Sequence, residues 1–131
     1  MAKNFKKSSW LILECQDKIL MLKRGPKANN PGLWNFPGGN IDPGESPIEA
    51  VLRESKEEAG LKGIKPKQMK FMTSITLRNR AMAYYKVVVD EFPKVKINEE
   101  SSKYEWVPKK KIKKKKLHNA TKAYVRLKKI Y

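Results

Sequence analysis

Three glutamates, Glu54, Glu57 and Glu58, fall within five residues of the stretch PGGNIDPGESPIEAVLRESKEEAG, residues 37–60. On a helix, Glu54 and Glu58 are spaced i, i+4 and Glu57 is i+3 from Glu54, so the three carboxylates share one side. Like charges this close repel unless cations are at hand. Arg53 and Lys56 supply part of the countercharge, and a divalent ion supplies more. Hard oxygens on one rigid element suit Mg²⁺ or Mn²⁺, which bind a few carboxylates and complete their shell with water and phosphate oxygens. Taken alone, the same pattern also fits an ordinary solvated helix.

The element that must hold these carboxylates has clear ends. Ser46 as N-cap, Pro47 at the first helical position and Glu49 two residues later make a capping box. Ile48, Val51, Leu52, Ser55 and Ala59 recur at helical spacing and turn away from the glutamates, toward a core. Gly60 is the expected stop. Upstream, Ser9 to Cys15 and Lys18 to Lys23 read as two strands joined by a tight Gln-Asp turn. A Gly/Pro/Asn-rich loop, RGPKANNPGLW, comes next, and LWNFPGG returns briefly to strand character. Downstream, Lys70 to Leu77 and Ala81 to Phe92 read as strands joined by Arg-Asn-Arg, with Asn79 expected to take positive φ. SKYEWVP reads as a further strand ended by Pro108. Leu117, Ala120, Tyr124, Leu127 and Tyr131 form the stripe of a last helix. Strands, helix, strands, helix imply a mixed sheet covered by helices, an α/β fold.

The whole chain, 131 residues at net charge +17, is read as one domain, residues 1–131. Charge is uneven: residues 103–131 hold 12 basic residues and one acidic, and Lys109 to Lys116 read KKKIKKKK. A polyanion is the partner such charge suits, although a lysine-rich surface also serves solubility alone. Cys15 is the one cysteine, which excludes an intramolecular disulfide and fits a reducing, cytoplasmic setting. With one Cys and one His (His118), a zinc site is not expected. The apolar run from Trp10 to Leu13 is too short for a signal segment or a membrane span.

Written by spacing, the stretch is Gly39, five residues, Glu45, seven residues, Arg53-Glu54, two residues, Glu57-Glu58, one residue, Gly60-Leu61. Residues 39–61 thereby resemble the Nudix box at every specified polar and glycine position. Ser55 departs from it, standing where the family usually has an aliphatic residue. WNFPGG before the box, Lys23-Arg24 at a strand end, Glu105-Trp106 and a closing helix extend the resemblance over about residues 8–130. It implies a Nudix α/β/α sandwich with a mixed β-sheet flanked by helices. The implied activity is Mg²⁺-dependent, with Mn²⁺ as an alternative: water attacks a phosphorus of a pyrophosphate linked to a nucleoside.

The resemblance also implies roles. Glu54, Glu57, Glu58 and the carbonyl of Gly38 would be metal ligands, Arg53 would orient Glu54, and Glu45 would support the loop–helix geometry. The general base is either Glu54 or a glutamate of a later loop, Glu100 or its neighbour Glu99. Among family members the chain is most similar to MutT-like enzymes, which clear oxidised purine nucleoside triphosphates to monophosphate and pyrophosphate. In that reading Arg24 approaches phosphate or sugar, Phe36 lies beside the base pocket, and Asn119 reads a purine edge. Phe36 as plain core and Asn119 as an N-cap are the competing readings. Two other functions stay open: an RNA 5′-end pyrophosphohydrolase using the basic segment 108–131, and a non-catalytic nucleic-acid-binding module. The module would gain nothing from a costly acidic cluster. A monomer or a homodimer is expected, with no membrane partner.

Overall fold

The computed structural model of the chain describes residues 5–128. Its elements follow in the order β1 (Lys6–Cys15), β2 (Lys18–Arg24), β3 (Trp34–Asn35), β4 (Gly38–Asn40), α1 (Pro47–Ala59), β5 (Lys70–Leu77), β6 (Arg80–Val89), β7 (Ser101–Pro108) and α2 (Asn119–Lys128). Short 3₁₀ turns occupy Pro66–Gln68 and Lys109–Lys114. No helix among the described residues is long and apolar enough to cross a membrane.

The strands form one mixed sheet ordered β3-β2-β1-β6-β5, with β4 also on β1 and β7 on β2. Strand β1 runs parallel to β6 over its whole length and antiparallel to its other partners. On that second side, β1 meets β2 only at Glu14↔Ile19 and Cys15↔Lys18, while β4 takes Ser8 to Trp10. Two different partners thus diverge from one central strand, and the opening they leave becomes the site.

Because β1 is central, it is buried on both faces, and its alternating side chains feed two cores. Trp10 and Ile12 join Met21, Tyr84 and Tyr124 beneath α2. Leu11 and Leu13 join Leu20, Val51 and Val87 beneath α1. The result is the α/β/α sandwich expected from the element order.

Local chemistry explains the helix ends. The Ser46 hydroxyl accepts from the Glu49 N–H at 3.1 Å, and the Glu49 carboxylate accepts from the Ser46 N–H at 2.8 Å. Gly60 closes α1 at φ +66°, in the left-handed region that costs glycine little. The Gln16-Asp17 loop has both residues at positive φ, the type I′ form that matches the twist of its strands.

Several expectations are corrected. Strand β1 begins at Lys6, because parallel pairing with β6 extends through Lys6↔Arg80. In the β5–β6 loop, Arg78 rather than Asn79 takes positive φ (+55°), since a II′-like turn places that conformation at its first residue. Strand β6 ends at Val89, three residues short of Phe92. Leu117 pairs as a bridge with Trp34 instead of starting α2. Leu127 is exposed, and Thr121 and Val125 complete the buried face with Ala120 and Tyr124. Tyr131 lies outside the described residues.

Candidate active site

Helix α1 carries the glutamates on its second half, beside the glycine strand β4. The Glu58 carboxylate accepts from the Gly38 N–H at 2.9 Å. Glu54 lies directly over Gly39, where a Cβ would come within 1.9 Å of its Oε2. The glycine at 39 is therefore room for a carboxylate. Gly38 is equally constrained, since a Cβ there would meet the Ser9 carbonyl at 2.3 Å.

Arg53 is the hub of the acidic end. Its Nε and Nη2 fork onto Glu45 at 2.7 and 3.1 Å, and Nη2 also donates to the Asn40 carbonyl at 3.1 Å. Nη1 reaches Glu54 at 3.4 Å and Glu57 at 3.5 Å. The guanidinium holds the Glu45 carboxyl below its ordinary value, helped by the Asp42 N–H. It does not do so for the two inner carboxylates. Burial pushes Glu54 up to about 7 against Arg53, with Glu57 and Glu100 adding to the rise. Burial pushes Glu58 up to about 8 against the Gly38 N–H, with Glu54 and Glu100 again adding. Two partly buried carboxylates short of countercharge are what a cation would relieve.

The fit to a divalent ion rests on that pair. Among the described residues, no group of three or more His, Cys, Asp or Glu side chains is arranged to hold a metal by itself. Glu54 and Glu58 line the cavity, whereas Glu57 is over half exposed and leans on Arg53. One or two carboxylates with substrate phosphates and water are sufficient for Mg²⁺. The donor set fits such an ion, with Glu57 further out than the spacing implied.

The loop bearing Glu99 and Glu100 is clasped to the end of α1. The Lys96 and Asn98 N–H groups donate to the Ala59 and Glu58 carbonyls at 2.9 and 3.3 Å, and Asn98 Nδ2 donates to the Glu57 carbonyl at 3.1 Å. These bonds satisfy carbonyls that a helix end leaves open. The Asn98 side chain then accepts from the Glu100 N–H at 3.0 Å, and the Glu100 carbonyl accepts from Gly25 at 2.8 Å. Both Glu99 and Glu100 line the cavity.

That cavity measures about 650 Å³. Arg24 and Lys27 line it, and the Arg24 Nε donates to the Asn29 carbonyl. Asn119 also lines the cavity. Its capping alternative is not realised: the His118 carbonyl accepts the first helical bond, from Lys122 at 2.8 Å, which makes His118 the N-cap. Phe36, expected beside a base pocket, does not line the cavity. It is fully buried, edge-on to Tyr124, and its N–H donates to the Thr121 hydroxyl at 2.9 Å. It is core because β3 leads its chain beneath α2, against Thr121 and Tyr124.

The structure adds residues that sequence reading passed over. His118 lines the cavity with a buried Nδ1 that has no hydrogen-bond partner. Burial lowers its pKa, and Arg24 and Arg80 lower it further. Residues 116–118 are stitched to β3, since Trp34 donates to the Lys116 carbonyl and His118 donates to the Trp34 carbonyl, both at 2.8 Å. Lys6, Ser8 and Trp10 line the cavity as alternate residues of β1. Their period of two was a legible signal, hidden by starting the strand at Ser9.

A family model for the NUDIX domain matches residues 6–127. The chain is 42% identical over 50 residues to a CTP pyrophosphohydrolase of Escherichia coli (strain K12), a match covering 38% of this chain and 37% of that protein. It is 35% identical over 51 residues to an 8-oxo-dGTP diphosphatase of Proteus vulgaris, covering 39% of this chain and 46% of that protein. These matches span less than half the length of either relative. The crystal structure of a MutT protein from Methanosarcina mazei Go1 superposes with a TM-score of 0.73 at 25% identity, covering 98% of this chain and 99% of the other.

Proposed function

The chain belongs to the Nudix family, and from that premise we propose that it is a divalent-metal-dependent pyrophosphohydrolase of purine nucleoside triphosphates, with Mg²⁺ the expected ion and Mn²⁺ an alternative. The products are the monophosphate and pyrophosphate. The observation that carries this reading is the pair Glu54 and Glu58, partly buried, raised to about 7 and 8, and lining a cavity that Arg24 and Lys27 also line. Names of the relatives support nucleotides as the substrate class.

A bound divalent ion supplies neutralisation of the anhydride oxygens and acidification of a water. Glu54 and Glu58 would hold it, with the Gly38 carbonyl and Glu57 as further donors. Arg53 fixes Glu54 by its fork on Glu45. Glu100 takes the proton of the attacking water. Its place in the cavity lining and its nearness to both inner carboxylates support that role over Glu54, whose carboxylate would hold the ion. The new P–O bond forms as the bridging P–O bond breaks and pyrophosphate leaves with the electron pair. Arg24 balances phosphate charge, and Asn119 offers a donor and an acceptor to a purine edge.

The test is a panel of canonical and 8-oxo nucleoside triphosphates, ADP-ribose, dinucleoside polyphosphates and 5′-triphosphate RNA, each with Mg²⁺ and with Mn²⁺. The highest kcat/KM on a purine triphosphate, abolished by EDTA, is the expected result. Activity that survives complete metal removal would overturn the mechanism, and a preference for ADP-ribose or a dinucleoside polyphosphate would overturn the substrate.

A further inference from the structure

Strands β1 and β6 are parallel and in register from their first residues, so their side chains meet as pairs: Lys6 with Arg80, Ser8 with Met82, Trp10 with Tyr84. Lys6 and Arg80 both line the cavity that Glu54 and Glu58 also line. Two cations side by side on adjacent strands are unfavourable unless something offsets them. Among the described residues neither forms an ion pair or a side-chain hydrogen bond. Their juxtaposition is built into the backbone, since the Lys6 N–H donates to the Asn79 carbonyl at 2.9 Å, in the turn that leads into Arg80.

The spacing along β1 says what could reach them. Trp10 pairs with Gly38, the residue that donates to Glu58. Lys6 lies four residues away, about 13 Å at the rise of an extended strand. That backbone separation leaves room for a nucleoside between phosphates held at Glu54 and Glu58 and a group held by Lys6 and Arg80. Ser8 stands between Trp10 and Lys6 on the cavity side of β1, and His118 and Asn119, neutral or held toward neutrality, line the same cavity. The cavity therefore joins the carboxylates, with Arg24 near them and near His118, to neutral side chains suited to a nucleoside and to a second cationic group, Lys6 with Arg80.

We propose that Lys6 and Arg80 form a second anion subsite, which takes a phosphate carried on the sugar of a nucleotide whose 5′-phosphates face Glu54 and Glu58. The subsite rests on the pyrophosphohydrolase reading for which end of the ligand is cleaved. Arg80 offers a planar fork for two phosphate oxygens, and Lys6 adds a point charge. The same chemistry is presented by the phosphomonoester of a 3′-phosphorylated nucleotide and by the first phosphodiester of an RNA chain.

The experiment compares GTP, guanosine 5′-triphosphate 3′-monophosphate and the dinucleotide pppGpA as substrates of the full chain and of its K6S/R80S variant. Both side chains are exposed, so the variant keeps its fold, checked by thermal unfolding. The full chain should prefer at least one of the two extended substrates over GTP by tenfold or more in kcat/KM, and the variant should lose that preference. Preference for the 3′-monophosphate alone assigns the subsite to free nucleotides, and preference for pppGpA assigns it to RNA ends. Equal kcat/KM for all three in the full chain, or a preference that survives in K6S/R80S, overturns the subsite. Equilibrium binding of guanosine 3′,5′-bisphosphate and of GMP separates this from hydrolysis. If nothing is hydrolysed but the bisphosphate still binds tenfold tighter than GMP in a Lys6- and Arg80-dependent manner, the pyrophosphohydrolase reading fails and the subsite stands.

Discussion

The acidic end of α1 and the basic run Lys109–Lys116 are both dense patches of like charge, but the fold treats them differently. In the basic run, Ile112 is fully buried and pins a 3₁₀ turn to the core beneath α2. Lys109 reaches Glu14 at 2.8 Å, and Lys115 reaches Glu105 at 2.7 Å while lying 4.3 Å from the centre of the Trp34 ring. Burial pushes Glu14 up, but its bonds from Lys109 and Lys86 more than offset this and hold it below the ordinary value. Key charges of the run are thus neutralised by the protein itself. In α1, by contrast, Glu54 and Glu58 are partly buried and left short of countercharge. Charge that a fold has satisfied is architecture. Charge that it has buried and left wanting awaits a ligand.

The largest expected effect falls on the acidic side. Glu58→Gln should lower kcat by at least about 10²–10³, the cost of removing one well-placed electrostatic group. Without metal the same change should stabilise the protein at alkaline pH. The folded Glu54 and Glu58 hold protons that the unfolded chain has released, so stability falls as pH rises from about 4.5 to about 8. Thermal unfolding in EDTA should show this decline, Mg²⁺ should reverse it most at the alkaline end, and Glu58→Gln should flatten it. A flat profile in the unaltered protein would remove the contrast between the two regions.

On the basic side, Ile112→Ala should cost about 2–5 kcal/mol, as for other large-to-small core changes. Serine at the exposed Lys110, Lys111 and Lys114 should each stay within about 0.5 kcal/mol. Denaturant unfolding checks both, and comparable losses at the lysines would mean that the run is not anchored through Ile112. Next comes Arg53→Lys, which keeps the charge but cannot fork onto Glu45. A loss of about 10–100-fold in activity with little change in stability is expected, as for residues that orient ligands. The smallest effect is at Ser55, whose hydroxyl is buried in α1 without a partner. Ser55→Ala should add about 1 kcal/mol of stability and leave turnover unchanged.

Much of the acidic region was legible in sequence because its determinants are local. Ser46, Pro47, Glu49 and Gly60 set the helix by contacts within four residues, and helical spacing then puts the glutamates together. Glu57 was less legible: spacing gathers it with Glu54 and Glu58, but Arg53 draws it outward. Phe36 and Leu127 were illegible in another way, since an apolar residue carries no sign of which neighbour will cover it. His118 and the Lys6–Arg80 pair could not be read at all from chain proximity.

The sequence by itself determined the capped helix, its carboxylate face, the hairpins and the alternation of strands, because each depends on bonds closed over a few residues or on a fixed period. Tertiary structure alone decided which carboxylates are buried, which lysines are answered, and that Lys6 stands beside Arg80. Those outcomes depend on contacts between segments tens of residues apart. Desolvation and charge pairing act through space, and the order of residues along the chain does not encode that space locally.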